Sequence, residues 1–351
     1  MIDKTLNSPA ALADAGLIGP DDVRALERVA DRYAVAVTPL LGDAIPQSAA
    51  LRRQFIPDPS ELETTPDERV DPIGDDLHSP TPGLVHRYPD RVLLKPVNVC
   101  PVYCRFCFRR ETVGAAPAMT PAELEAAYAY VQARPQIFEA ILTGGDPLML
   151  KPKSLGRIAD RLAAIPHLQV LRVHTRVPIA APERIGAETL EALQSDGRLA
   201  LYVSIHVNHA DELTAPARDA IARLADAGIP LLGQTVLLRG VNDDAEILAD
   251  LFRQLVTLRV RPYYLHHPDL APGTSRFRLA IEEGQKIVAA LRGRVSGLCL
   301  PTYVLDVPGG YGKSPIGPRY VEPEGDRLRV TDPFGRGHVY PPDIAEAYDG
   351  C

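Results

Sequence analysis

No apolar run in this 351-residue chain approaches the roughly 18 to 20 residues that a membrane-spanning helix requires, so a soluble protein is expected. The first thirty residues also lack the basic and then continuously apolar order of a secretory leader. Asp3, Lys4, Asp14, Asp21 and Asp22 interrupt short apolar pieces, and export is not expected. Positive charge is in short supply: 38 Lys and Arg against 45 Asp and Glu give a formal charge of -7, which weighs against general binding to phosphate backbones and leaves room only for a local basic patch. Cysteine is scarce too. Five is an odd number, and Cys100, Cys104 and Cys107 fall within eight positions, which fits metal ligation in a reducing compartment better than a disulfide framework. A cytoplasmic protein that binds neither nucleic acid nor membrane is the expectation. What is present is ordinary for a soluble enzyme, 46% apolar and 24% charged residues, in a length that suits two average domains or one large α/β barrel.

Residues 1–85 read as an accessory region, with a helix near Pro20 to Val35 and then the Pro- and Asp-rich stretch FIPDPSELETTPDERVDPIGDDLHSPTPG, which Phe55, Ile56 and Ile73 would anchor as an ordered wrap. From Val92 short Val-, Ile- and Leu-rich runs alternate with amphipathic segments about every thirty residues, the signature of repeated βα units. Strands are expected near 92–98, 138–143, 168–174, 200–206, 230–237, 261–266 and 302–305. Helices are expected near 153–164, 184–196, 211–227, 243–258 and 280–292, and another begins with Thr120 as N-cap, Pro121 next and Glu123 completing a capping box. The pattern predicts an α/β protein: an incomplete (β/α)6-type TIM-like barrel over 86–300, with the accessory region before it and a segment over 301–351 after it. Chemistry in such barrels gathers at the C-terminal ends of strands. Here those ends carry Cys100, Gly144-Gly145-Asp146, His174-Thr175-Arg176, His206, Gln234, His266 to Asp269, and Asp306 through Lys313.

Three thiols in a C-x3-C-x2-C spacing could be buried structural cysteines, a zinc site completed by Cys299, Cys351 or a histidine, or an iron-sulfur cluster. With three local ligands a cluster would keep one iron open to a substrate or cofactor. Lys313 lies in a loop with Gly309, Gly310 and Gly312, but Val307 stands where a phosphate-binding P-loop needs glycine. The lysine is either solvated on a flexible loop or held for imine formation with an aldehyde cofactor. Arg87, Tyr88 and Arg91 form an arginine-rich turn that could be surface decoration or a phosphate grip. Asp269 and Asp306 could be turn formers beside Pro268 and Pro308, but two carboxylates aimed at one pocket would repel unless a cation sat between them.

The cysteine spacing, with Phe106 before the last cysteine, resembles the signature of the radical S-adenosylmethionine superfamily. From HSPTPGLVHRYPDRVLL through LTGGDPL, HVNH, VLLRGVND and VRPYYLHHPDL to LDVPGGYGKSP, the chain resembles the lysine 2,3-aminomutase family within it. The resemblance implies a [4Fe-4S] cluster on Cys100, Cys104 and Cys107, with S-adenosylmethionine on the open iron and against Phe106, Gly144, Gly145, Asp146, His206 and Gln234. It further implies pyridoxal 5'-phosphate on Lys313, met by Arg87, Tyr88 and Arg91, and a substrate held by Arg109 at its carboxylate and by Asp269 and Asp306 at its distal ammonium. The implied reaction moves the amino group of L-lysine between the α- and β-carbons after a deoxyadenosyl radical removes a β-hydrogen, with an external electron donor such as flavodoxin or ferredoxin and a homo-oligomeric assembly. Alternatives are β-lysine supply for modification of elongation factor P, an aminomutase acting on another amino acid, a noncatalytic iron-sulfur protein, and a zinc-stabilised pyridoxal enzyme without radical chemistry. Asp244 stands where the longer aminomutases have a zinc cysteine, so no such zinc is expected, and Tyr311 replaces a glycine of the family's loop before the lysine.

Overall fold

The computed structural model describes residues 2–194 and 197–342; the last two positions of the helix predicted over 184–196, and Cys351, lie outside the described residues. Four short helices come first, α1 (Pro9–Asp14), α2 (Val23–Ala30), α3 (Pro39–Ala44) and α4 (Ala49–Phe55). The sheet follows, with β1 (Leu84–Tyr88), β2 (Arg91–Val97), β3 (Glu139–Gly144), β4 (Val170–Thr175), β5 (Ala200–His206), β6 (Leu231–Val236), β7 (Val260–His266), β8 (Thr302–Val307) and β9 (Gly312–Pro315). Between strands run α5 (Pro121–Gln132), α6 (Pro152–Ala163), the four-residue α7 (Val177–Ala180), α8 (Ala187–Gln194), α9 (Ala215–Asp226), α10 (Ala245–Thr257) and α11 (Ile281–Leu291). The nine strands hydrogen-bond in sequence order: β2 to β8 are parallel and joined by helical crossovers, whereas β1 and β9 pair antiparallel at the two edges. The fold is an incomplete (β/α)6 barrel, and its sheet ends at β1 and β9 without pairing between them.

Local sequence explains these elements. Thr120 caps α5 through its Oγ1, which accepts from the Glu123 N–H at 3.3 Å, while Glu123 Oε2 accepts from the Thr120 N–H at 2.7 Å. Leu155, Ile158, Ala159 and Leu162 recur at helical spacing on α6 and are buried against the sheet. Removing one such side chain, as in Leu162→Ala, costs about 2–5 kcal/mol. Asp244 is the N-cap of α10, accepting from the Glu246 N–H at 2.7 Å and the Ile247 N–H at 3.3 Å.

Two expectations need correction. The single helix expected at 20–35 is a short turn at Pro20–Asp22 leading into α2, and α1, α3 and α4 accompany it around a separate core of Leu12, Leu26, Val29, Leu41, Leu51 and Phe55. Val102 of the cysteine loop and Ala180 of α7 complete that core, so the accessory region packs on the barrel mouth. The helix expected from 211 begins at Ala215, because Glu212 turns back to accept from the Asn208 and His209 N–H groups at 2.8 and 3.0 Å, and Pro216 starts the helix afresh. Residues beyond β9 add a small antiparallel sheet, β10 (Val321–Glu324), β11 (Arg327–Thr331) and β12 (Gly337–Tyr340).

Candidate active site

Inward-facing residues alternate along the strands and line one cavity of about 410 Å³. Every residue to which the family resemblance assigns a ligand borders it: Cys100, Cys104, Phe106, Cys107 and Arg109 from the loop after β2; Gly144 at the end of β3 with Gly145 and Asp146 after it; His206 and Gln234 on β5 and β6; Asp269 and Asp306 after β7 and on β8; Lys313 on β9; and Arg87, Tyr88 and Arg91 on β1 and β2.

The cysteine loop is held by a buried ion cluster. Glu61, fully buried in the accessory region, receives Arg105 Nη2 at 2.6 Å, is also paired with Arg110, and has Arg276 at 3.5 Å. Burial pushes the Glu61 carboxyl up, but Arg105, Arg110 and Arg276 outweigh it and hold the group below its ordinary value. On the cavity side Arg176 Nη1 lies 2.9 Å from Cys104 Sγ, and its Nη2 reaches Gln54 at 3.0 Å and also pairs with the buried Glu212. Burial raises all three thiols, Cys107 to about 11 with Cys104 beside it and Cys100 well above the ordinary range. Neutral thiols so buried are set against Arg176 at Cys104 and against the Arg109 N–H at Cys107. These donors suit thiolates bound to metal. Among the described residues no three His, Cys, Asp or Glu side chains converge on one point fit for a single ion. A four-iron cluster takes its thiolates one to a corner instead, and three thiols around one cavity suit three corners and leave the fourth open.

The Gly-Gly-Asp turn joins strands as well as facing the cavity. Gly144 has φ +112°, and a Cβ there would lie 2.6 Å from Val97 O, so the close approach its glycine permits is to the end of β2, from which the cysteine-bearing loop departs. The Asp146 carboxylate accepts from Thr175 Oγ1 at 2.8 and 2.9 Å and from the Leu148, Arg176 and Val177 N–H groups at 3.0, 2.6 and 3.2 Å. Its oxygens are thereby spent on tying β3 to β4. Phe106 packs edge-on against His206, ring centroids 5.6 Å apart, and burial with Arg176 nearby keeps His206 neutral, its pKa well below 6.5.

At the other end of the cavity Lys313 Nζ lies 2.6 Å from Asp306 Oδ2, and the Lys313 N–H donates to Tyr88 Oη at 2.7 Å. Arg91 stacks on the Tyr88 ring at 3.8 Å. Arg87 Nη1 is 3.5 Å from Asp306, and its buried Nε has no partner, an open donor for an anionic group. Burial and the neighbouring Asp306 raise the Asp269 carboxyl to about 7, and burial together with Lys313 lowers His266 to about 3. Arg87 and Arg91, the Lys313 amine and two acidic groups share one cavity, a donor set that fits pyridoxal phosphate.

Sequence reasoning missed Asp75, which receives Arg87, Lys95 and Arg109. It lies in the Pro-rich stretch, where no periodicity marks it. Thr143, whose Oγ1 is 3.4 Å from Arg109 Nη1, and the Glu139–Arg172 pair at 2.9 Å were also unmarked, though each follows the alternation of its strand.

A partial barrel with three clustered thiols at its mouth defines the radical S-adenosylmethionine class, and the model of the Radical SAM superfamily matches residues 94–252. The Lysine-2,3-aminomutase model matches residues 288–334. The L-lysine 2,3-aminomutase of Fusobacterium nucleatum is 39% identical over 308 residues, 87% of this chain and 72% of that protein. That of Acetoanaerobium sticklandii is 40% identical over 306 residues, 86% of this chain and 73% of that protein. A glutamate 2,3-aminomutase from Clostridioides difficile is 35% identical over 271 residues, 77% of this chain and 64% of that protein. The chain belongs to the lysine 2,3-aminomutase family of radical S-adenosylmethionine enzymes, which are isomerases. That family works with a [4Fe-4S] cluster, S-adenosylmethionine and pyridoxal phosphate. No helix among the described residues is long and apolar enough to cross a membrane.

Proposed function

We propose that the protein is a pyridoxal-phosphate-dependent aminomutase that interconverts L-lysine and β-lysine. One observation carries the reading: Asp269 and Asp306 border the same cavity as Lys313, and burial with mutual repulsion has already lifted Asp269 to about 7. A pocket so arranged wants a cation between its carboxylates, and the distal ammonium of lysine is one; the γ-carboxylate of glutamate would add a further negative charge. When bound, the cluster with S-adenosylmethionine supplies one-electron, hydrogen-abstracting chemistry, and pyridoxal phosphate supplies an aldehyde and a conjugated ring.

The chain's own residues do the rest. Cys100, Cys104 and Cys107 hold the cluster; Phe106, Gly144, Gly145, Asp146, His206 and Gln234 border the volume left for S-adenosylmethionine. Arg87 offers its free Nε, and with Tyr88 and Arg91 it grips the phosphate and ring. Asp306 Oδ2, 2.6 Å from Lys313 Nζ, can hold the proton that this amine sheds on joining the aldehyde. Asp269 and Asp306, which border the same cavity, would together face the substrate's distal ammonium. Arg109 takes the α-carboxylate. An external one-electron donor of the flavodoxin or ferredoxin kind is required, because no second redox group belongs to this reading.

The test is substrate choice after anaerobic reconstitution. L-lysine is expected to yield β-lysine while L-glutamate yields no β-glutamate, and Asp306→Asn is expected to lose about 100-fold in kcat/KM for lysine. Turnover of glutamate in preference to lysine contradicts the reading.

A further inference from the structure

We infer that Asp75 is a positioning residue that aligns Arg109 for the substrate carboxylate and couples it to Arg87 at the cofactor phosphate. The inference rests on the functional reading above, which gives Arg109 and Arg87 those roles. Asp75 is 5% exposed and does not border the cavity, whereas both arginines do. Its two oxygens are divided between them: Oδ1 accepts from Arg87 Nη2 at 3.0 Å, and Oδ2 accepts from Arg109 Nε at 3.1 Å and Nη2 at 2.9 Å. Lys95 Nζ adds a third cation at 3.5 Å from Oδ2.

A guanidinium has two edges that can take a carboxylate in paired fashion. Asp75 occupies the Nε/Nη2 edge of Arg109 from outside the cavity. The remaining edge runs through Nη1, which lies 3.4 Å from Thr143 Oγ1 on the cavity wall. The arginine is thereby fixed in rotation, with its open edge toward the ligand and part of its charge balanced from behind. A placeholder that the substrate displaces would sit inside the cavity; Asp75 does not.

Asp75 is itself tied down. The Asp71 carboxylate accepts from the Asp75 N–H at 2.9 Å and the Asp76 N–H at 2.8 Å, and Ser79 Oγ donates to Asp75 O at 2.8 Å. The same segment lies on the loop that carries Lys313: His78 Nε2 is 3.0 Å from Gly310 O, and a Cβ on Gly74, at φ +69°, would come 2.6 Å from Gly310 N. One strap from the accessory region therefore touches the lysine loop, the phosphate arginine and the carboxylate arginine.

The test compares binding of L-lysine and L-lysine amide, which lacks the carboxylate charge, to anaerobic protein carrying cluster and pyridoxal phosphate, without S-adenosylmethionine, by calorimetry. The unsubstituted protein is expected to favour lysine by about tenfold or more. Asp75→Asn, which can accept at only one arginine, is expected to cut that ratio to about twofold, leave the amide's affinity unchanged and weaken pyridoxal phosphate binding about fivefold. Asp71→Ala, which frees the strap without touching a cavity side chain, is expected to lower the ratio in the same direction and carries the test if the Asn variant does not fold. An unchanged ratio in the folded variants, or tighter lysine binding in Asp75→Asn, overturns the inference alone. Failure of the unsubstituted protein to bind lysine overturns the functional reading beneath it.

Discussion

Asp269→Asn separates the cost of the acidic pair from its use. In the unfolded chain the carboxyl titrates at its ordinary 3.8, and in the folded cavity burial and Asp306 move it to about 7. A raised carboxyl pKa is a stability cost that is absent below about pH 4, grows as pH rises between the two values and is complete above about pH 7. Linkage puts the cost at about 1.5 kcal/mol at pH 5 and about 4 kcal/mol at pH 8. Asparagine carries no such charge. The variant's stability relative to the unsubstituted protein should therefore improve by about 2.5 kcal/mol between those pH values. At about 2 °C per kcal/mol for a chain of this size, the difference in Tm should widen by about 5 °C. Thermal unfolding of the cofactor-free protein at pH 5 and pH 8 measures this. Saturating L-lysine should narrow the gap, since a bound ammonium stabilises the ionised carboxylate in the unsubstituted protein only. A Tm difference that is flat with pH, or that shrinks toward pH 8, refutes the reasoning.

Glu61→Gln leaves Arg105, Arg110 and Arg276 buried without their shared carboxylate and should destabilise the fold by about 3–5 kcal/mol, read as a lower Tm and faster proteolysis of the accessory region. Gly144→Ala forces a Cβ to within 2.6 Å of Val97 O at a φ of +112°, so reconstituted protein should bind less iron while retaining its helical circular dichroism. Lys313→Ala should lose the pyridoxal phosphate that borohydride otherwise fixes to the chain, as a missing mass increment in the peptide carrying residue 313.

The parallel strands and the thiol cluster were legible because each rests on local pattern: β-rich runs followed by polar residues, and three cysteines within eight positions. Thr120, Pro121 and Glu123 announced their helix because a capping box lies within four residues. Long-range chemistry was not legible. Glu61 meets Arg105 across 44 residues, and nothing in either segment names its partner. Glu212 looked like the first turn of a helix, yet its carboxylate is drawn into the network around Arg176 and Cys104. The helices α1, α3 and α4 have six, six and seven residues, too short for periodicity to emerge, and tertiary burial makes them. Asp75 escaped notice because an acidic residue in a Pro-rich stretch is ordinary until Arg87 and Arg109 are seen on its two oxygens.

The central claim is that a cluster on three thiolates and an amino acid bound beside Lys313 work within one cavity. Its most direct test offers L-lysine deuterated at the β-carbon to the anaerobically reconstituted protein and follows the label by mass spectrometry. The account predicts β-lysine together with deuterium in 5'-deoxyadenosine, both abolished by Cys104→Ala. Unlabelled 5'-deoxyadenosine formed without β-lysine would contradict it.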